Sequence, residues 1–274
     1  MAGRTIIITG ASDGIGAAAA RALTSAGDSV VVVGRSAEKT AAVAAELGAE
    51  YHVADFSRLA DVRALAATLL ESYPRIDVLA NNAGGIMGER ELTVDGHEKT
   101  LQVNHLAPFL LTTLLLDRLI ESRATVINTA SVANTLFGNL DIDDLGNEKR
   151  YSPNKAYGDG KLANILFTRE LDRRYRGHGI TTAAFHPGLV ATSFASNTTS
   201  LLRHVYGLVL SRFLISPAKG ADTLVWLATP GTSWKSGGYY TRRKLDRANK
   251  QADDAALAAR LWEKSASLVA LPAD

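Results

Sequence analysis

Short apolar runs rich in β-branched residues alternate along the chain with longer segments in which Ala and Leu recur at helical spacing. The runs are TIIITG (5–10), SVVVVG (29–34), EYHVAD (50–55), IDVLANN (76–82), ATVINTAS (124–131), ITTAAFHP (180–187) and GGYY (237–240). They are continuous rather than strictly alternating, as expected of strands buried on both faces of a parallel sheet. Helical patterns fill the intervals at 15–26, 36–47, 58–73, 97–121, 156–176, 217–229 and about 253–269. This alternation predicts an α/β protein: one doubly wound domain over residues 1–274, with a mainly parallel seven-stranded sheet flanked by helices on both faces. Two stretches break the rhythm. Residues 133–155 form a polar insertion, and residues 193–216 add a segment containing the apolar run LLRHVYGLVLSRFLI.

Composition narrows the function classes. An apolar fraction of 46% and a charged fraction of 21% are ordinary for a soluble protein with a sizeable core. A net charge of +2 gives no footprint for nucleic acid or a membrane. The basic run 242–250 is diluted by Asp246, Asp253 and Asp254. With no cysteine there is no disulfide, thiolate nucleophile or zinc–thiolate site. The histidines, including His105 and His186, show no metal-ligand spacing, so no metal is expected. The opening MAGRTIIITG leaves no room for a signal peptide before the first strand. The run FLLTTLLLDRLI is interrupted by Asp117 and Arg118 and is too short to span a bilayer. We therefore expect a cytoplasmic protein.

Chemistry enters where the first strand ends. TGASDGIG places Gly10, Ser12, Asp13, Gly14, Ile15 and Gly16 ahead of an Ala-rich helix. Such a strand–turn–helix unit brings bare backbone close to a pyrophosphate and aims helix-terminal N–H groups at it, the signature of a Rossmann-type dinucleotide site. A phosphate-binding P-loop is excluded, because no Gly-Lys-Ser/Thr follows. At the end of the second strand an acid would accept both ribose hydroxyls of NAD. The chain has Gly34, Arg35 and Ser36 there instead. A guanidinium beside the position of a 2′-phosphate favours NADP(H) over NAD(H).

Carbonyl–alcohol interconversion needs a group that gives or takes a proton at the substrate oxygen. Three Tyr-x3-Lys pairs occur: YSPNK from Tyr151, YGDGK from Tyr157 and YTRRK from Tyr240. A lysine one helical turn from a tyrosine favours the tyrosinate, but only within a helix. Pro153 forbids a helix interior in the first pair. The third follows a short strand, precedes basic residues and reads as an exposed loop. YGDGK leads into the amphipathic KLANILFTREL, so Tyr157 and Lys161 are the pair of interest. Ser131, ending the fifth strand at the ligand-binding edge of the sheet, is a candidate partner for the substrate oxygen; a helix cap is the other reading.

Together these features resemble the classical short-chain dehydrogenase/reductase family over essentially the whole chain. The matching motifs are TGASDGIG, NNAG (81–84), VNHLAPFLL with Asn104, Ser131, YGDGK and HPGLVAT (186–192). KLANILFTREL, HPG, RLWE (260–263) and the ending LPAD look most like the retinol-dehydrogenase-like branch. The resemblance implies a catalytic tetrad of Asn104, Ser131, Tyr157 and Lys161. Tyr157 would be the acid in reduction, Ser131 would bind the substrate oxygen, and Lys161 would lower the tyrosine pKa and hold the nicotinamide ribose. Asn104 would hold a water that links the lysine to solvent. For the cofactor it implies Asp55 and Phe56 at the adenine, Asn82, Ala83 and Gly84 along the adenosine ribose, and Pro187, Gly188, Val190 and Thr192 at the carboxamide. Asn81 would brace the sheet. Two features depart from the commonest pattern: Ser131 and Tyr157 stand 26 residues apart, and Gly160 replaces the branch's usual serine before the lysine.

The expected activity is NADP(H)-dependent hydride transfer to or from a carbonyl or alcohol substrate that is bulky and hydrophobic. A catalytically idle dinucleotide sensor or scaffold is the alternative, opposed by the intact Ser131/Tyr157/Lys161 set. A nucleotide-sugar lyase or epimerase is opposed by the glycine spacing and the length. The apolar 193–216 segment is open to three readings: a substrate lid, a homo-oligomer contact or a peripheral membrane contact.

Overall fold

The computed structural model describes residues 3–188 and 215–271. The expected lid segment therefore lies outside the described residues, apart from its last two positions, as do Val190 and Thr192. The sheet has eight strands in the order β3-β2-β1-β4-β5-β6-β7-β8. They are β1 (Thr5–Thr9), β2 (Ser29–Gly34), β3 (Glu50–Val53), β4 (Val78–Asn81), β5 (Thr125–Thr129), β6 (Thr181–His186), β7 (Gly238–Thr241) and β8 (Lys244–Leu245). Pairings are parallel from β3 through to β7.

The eighth strand corrects the expected count of seven. It pairs antiparallel with β7, Tyr240 opposite Leu245 and Thr241 opposite Lys244. The hairpin closes because Arg242 and Arg243 both adopt left-handed backbone (φ 52° and 60°), a turn that the arginine-rich sequence did not advertise. YTRRK is thus a hairpin with a buried Tyr240 and not an exposed loop.

The helices are α1 (Gly14–Ser25), α2 (Ala37–Leu47), α3 (Leu59–Ser72), α4 (Lys99–Leu101), α5 (Ala107–Leu114), α6 (Leu116–Ser122), α7 (Ala133–Leu136), α8 (Pro153–Tyr175), α9 (Pro217–Ala228) and α10 (Ala255–Leu268). Period-2 geometry sends alternate strand residues to opposite faces. Ile6, Ile8, Val30, Val32, Val78 and Ala80 pack beneath α1 and α9. Ile7, Val31, Val33, Leu79 and Val126 pack toward α3, α5, α8 and α10. No single helix among the described residues is long and apolar enough to cross a membrane.

Two expected helices differ. The single helix over 97–121 is instead α4, a π-helical turn over Gln102–Leu106, α5 and α6. The helix carrying Tyr157 starts earlier than 156, because the Ser152 hydroxyl accepts from Lys155 N–H (3.2 Å) and Pro153 occupies the first turn, where its missing N–H does no harm. Tyr151 remains outside it. The 133–155 insertion is less polar in effect than its composition suggests, since Leu140, Ile142 and Leu145 are buried in the core.

Candidate active site

The carboxyl ends of β1 and β4 meet where strand order reverses, the crevice in which open α/β sheets hold ligands. Gly10 has φ 66° and Gly14 φ 56°, values that favour glycine. A Cβ on Gly16 would stand 2.3 Å from the Gly10 carbonyl oxygen, and one on Gly10 would stand 2.8 Å from Ala83 Cα. The turn can close only with bare backbone, which leaves a cradle shaped for a pyrophosphate. Asp13 caps α1 through Gly14 N–H (2.7 Å). Gly34 lets the turn pack over the end of β2, since a Cβ there would lie 2.8 Å from Ser12 Cβ. Arg35 is exposed beside it and has no ion pair among the described residues. Ser36 caps α2.

The remaining cofactor candidates divide by what their side chains already do. Asn82 Nδ2 donates to the carbonyls of Thr9 (3.0 Å) and Gly10 (3.3 Å), and its Oδ1 accepts from Thr129 (3.2 Å). Its side chain is a brace, so contact with a ribose falls to its backbone. Phe56 is buried in the core, again leaving backbone. Asp55 accepts from Ser57 N–H and hydroxyl. Gly188 takes φ 95°, and the Nδ1 of His186 accepts its N–H (3.4 Å). Burial pushes His186 down to about 4 and His105 likewise to about 4, so both are neutral at physiological pH.

A buried polar ladder fixes the catalytic candidates. Asn81 Nδ2 donates to Asn128 Oδ1 (3.0 Å), as its bracing reading requires. Asn128 Nδ2 donates to Thr168 Oγ1 (2.9 Å), so β4, β5 and α8 are tied in register. Lys161, only 1% exposed, donates from Nζ to the Thr129 carbonyl (3.1 Å) and lies 5.4 Å from the Tyr157 ring centre. Desolvation lowers it to about 7. Tyr157 is held well above the ordinary phenol range by burial, against which its hydrogen bond with the Ser131 hydroxyl pulls downward. The three side chains therefore converge, but in this state it is Ser131 rather than Lys161 that favours the tyrosinate.

Asn104 lies in the π turn. Its Nδ2 donates to the carbonyls of Gly85 (2.8 Å) and Thr100 (2.9 Å), and its Oδ1 accepts from Gly85 N–H (3.1 Å). A Cβ on Gly84 would meet Asn104 Oδ1 at 2.5 Å and Lys161 Nζ at 3.1 Å. Gly84, Asn104 and Lys161 thus form one wall on which only backbone separates cofactor cradle from lysine.

The middle of YGDGK has structural work of its own. A Cβ on Gly158 would lie 2.8 Å from Ala133 O, Gly138 N and Phe137 C. The segment after Ser131 is pressed directly onto α8. Asp159, buried, accepts from Asn139 N–H (2.8 Å), Asn147 Nδ2 (3.1 Å) and Lys155 Nζ (2.5 Å). It pins the insertion to the helix bearing Tyr157. The sequence did hold a signal for this, an acid between two glycines on a buried helix face. Gly160 is different: a Cβ there would meet Asn104 Cβ at 3.4 Å and the Thr100 carbonyl oxygen at 4.0 Å, both ordinary contacts.

These features define a dinucleotide-dependent oxidoreductase site on a Rossmann-type sheet. The short chain dehydrogenase family model matches residues 4–201, and the chain belongs to that family, whose members use a nicotinamide cofactor. It is 46% identical, over 97% of its length and 93% of the relative's, to a Streptomyces sp. (strain C5) protein provisionally named a daunorubicin C-13 ketoreductase, DnrU. It is 38% identical to human retinol dehydrogenase 12, covering 98% of this chain and 87% of that protein. The solved Pseudomonas aeruginosa RhlG/NADP complex superposes with a TM-score of 0.70 at 29% identity, over 87% of this chain and 94% of that one.

Proposed function

We propose that this protein is an NADP(H)-dependent carbonyl reductase or alcohol dehydrogenase for a bulky, hydrophobic substrate. The observation that carries the reading is the convergence of Ser131, Tyr157 and Lys161 beside a cradle that only glycines can form. The nicotinamide supplies or accepts the hydride. In reduction, Ser131 hydrogen-bonds the substrate oxygen and Tyr157 delivers the proton to it. Lys161 holds the nicotinamide ribose, and its charge, once restored, favours the tyrosinate left behind. Asn104 fixes the wall behind Lys161. Support for a bulky apolar substrate comes from Leu136 and Phe137, 63% and 45% exposed in the turn just after Ser131. The names of two relatives, a daunorubicin C-13 ketoreductase and a retinol dehydrogenase, are in keeping with carbonyl–alcohol chemistry.

Cofactor choice is tested at Arg35. An Arg35→Ala variant should lose about tenfold or more in kcat/KM for NADPH, roughly 1.4 kcal/mol, while NADH turnover is unchanged. Equal losses with both cofactors, or a wild-type preference for NADH, would contradict the assignment.

Lys161 gives a pH prediction. With its pKa lowered to about 7 by burial, the lysine is largely neutral at pH 8 in the free protein. Ribose hydroxyls that accept its N–H groups, together with cofactor phosphate charge, raise that pKa, so binding takes up a proton and affinity weakens as pH rises above about 7. Titration calorimetry of NADPH binding in buffers of different ionisation enthalpy should reveal this uptake at pH 8. Its absence would mean that the cofactor does not engage Lys161.

A further inference from the structure

We propose that Asn134 and Asn249 form a positioning pair that sets the Ser131 hydroxyl against Tyr157, so that the segment following β8 completes the active site. The proposal rests on the reading that Ser131 and Tyr157 act together on the substrate oxygen. Ser131 lies beyond the last ladder residue of β5, so sheet pairing does not fix it directly. Its hydroxyl accepts from the Ala133 N–H (3.2 Å), and its carbonyl is held by Asn134, fully buried on α7. The Ser131 carbonyl accepts from the Asn134 N–H (3.1 Å) and from its Nδ2 (2.6 Å). The amide's orientation is not free. Its Oδ1 accepts from the backbone N–H of Asn249 (2.8 Å), which forces the NH2 end toward Ser131 and toward the Tyr239 hydroxyl (3.3 Å).

Asn249 closes the arrangement from the other side. Its Nδ2 donates to the carbonyls of Asn134 and Gly138, each at 2.8 Å. Asn134 and Asn249 are 115 residues apart in sequence. Next to them Gln251 exchanges two hydrogen bonds with the Leu140 backbone (2.9 and 3.0 Å), gripping the same insertion without touching Ser131. That difference makes Gln251 the natural control. The groups facing Tyr157 are Ser131, Lys161 and Tyr239. Of these, only Ser131 and Tyr239 are bonded to or through Asn134.

The test compares Asn134→Asp, Asn249→Ala and Gln251→Ala in the full-length protein with NADPH and one reducible ketone. Asn134→Asp keeps volume and the acceptor toward Asn249, but replaces the donor aimed at the Ser131 carbonyl with an acceptor. Both asparagine variants should lower kcat about tenfold or more with KM for NADPH unchanged. The rising limb of the pH profile of alcohol oxidation, which reports ionisation of Tyr157, should move to higher pH, because a displaced Ser131 no longer favours the tyrosinate. Gln251→Ala should keep kcat and the limb within about twofold of wild type. Should Asn134→Asp fail to fold, Asn249→Ala carries the same expectation from the rim of the network. Asparagine variants with wild-type kcat and an unmoved limb would overturn the proposal, as would a Gln251→Ala variant equally impaired. If Ser131→Ala itself leaves turnover intact, the underlying reading fails and the positioning role with it. If Ser131→Ala is inactive while the asparagine variants are unaffected, only the positioning role fails.

Discussion

Tyr157→Phe is expected to lower kcat by about a thousandfold while NADPH binding stays within a few-fold of wild type. General acid catalysis by a positioned side chain contributes roughly 10²–10⁴ in rate, and the Tyr157 phenol is hydrogen-bonded to Ser131 with Lys161 beside its ring. The ring is buried and its removal of one oxygen leaves packing unchanged, so loss of activity should come without loss of fold. Steady-state rates with NADPH and fluorescence titration of the cofactor separate the two effects. Retained turnover would remove Tyr157 from the mechanism.

The second large effect concerns the two glycines flanking Asp159. Gly158→Ala should destabilise the protein by about 2–3 kcal/mol, because its Cβ would press on three backbone atoms of the segment behind Ser131. A melting temperature lower by roughly 4–12 °C is expected. Activity should fall with it, since whatever moves Ala133 and Phe137 also moves Ser131. Gly160→Ala should do the opposite. Its Cβ finds ordinary contacts with Asn104 Cβ and the Thr100 carbonyl oxygen, and removing a glycine from a helix interior gains about 1 kcal/mol. Thermal denaturation of the two variants side by side decides the matter. Equal behaviour would show that the close approach of α7 and α8 is not what selects glycine at 158.

Those glycines also mark the limit of what the sequence discloses. The strands that build the crevice were legible because buried parallel strands read as unbroken apolar runs, and TIIITG, SVVVVG and ATVINTAS are such runs. Tyr157 and Lys161 were legible because helical context removes Tyr151, which stays outside α8, and Tyr240, which turns out to lie in a hairpin. The hairpin itself was hidden, for its turn depends on two arginines in left-handed backbone. The break at Gln102–Leu106 was hidden too, since a π turn leaves no periodic mark in five residues that include neither Gly nor Pro. By propensity alone, a glycine at 158 inside a helix counts as a weak point. In the structure it is a contact point, and Asp159 beside it is the anchor of the insertion. Asn134 was unreadable in principle, because its role depends on Asn249 far along the chain.

The most direct test of the account is NADPH consumption by the wild-type protein against a panel of bulky apolar ketones and aldehydes, with the alcohol product quantified. The account predicts stoichiometric oxidation of NADPH and formation of alcohol from at least one of them, abolished in Tyr157→Phe. Tight NADPH binding with no carbonyl reduced, or turnover undiminished in that variant, would contradict it.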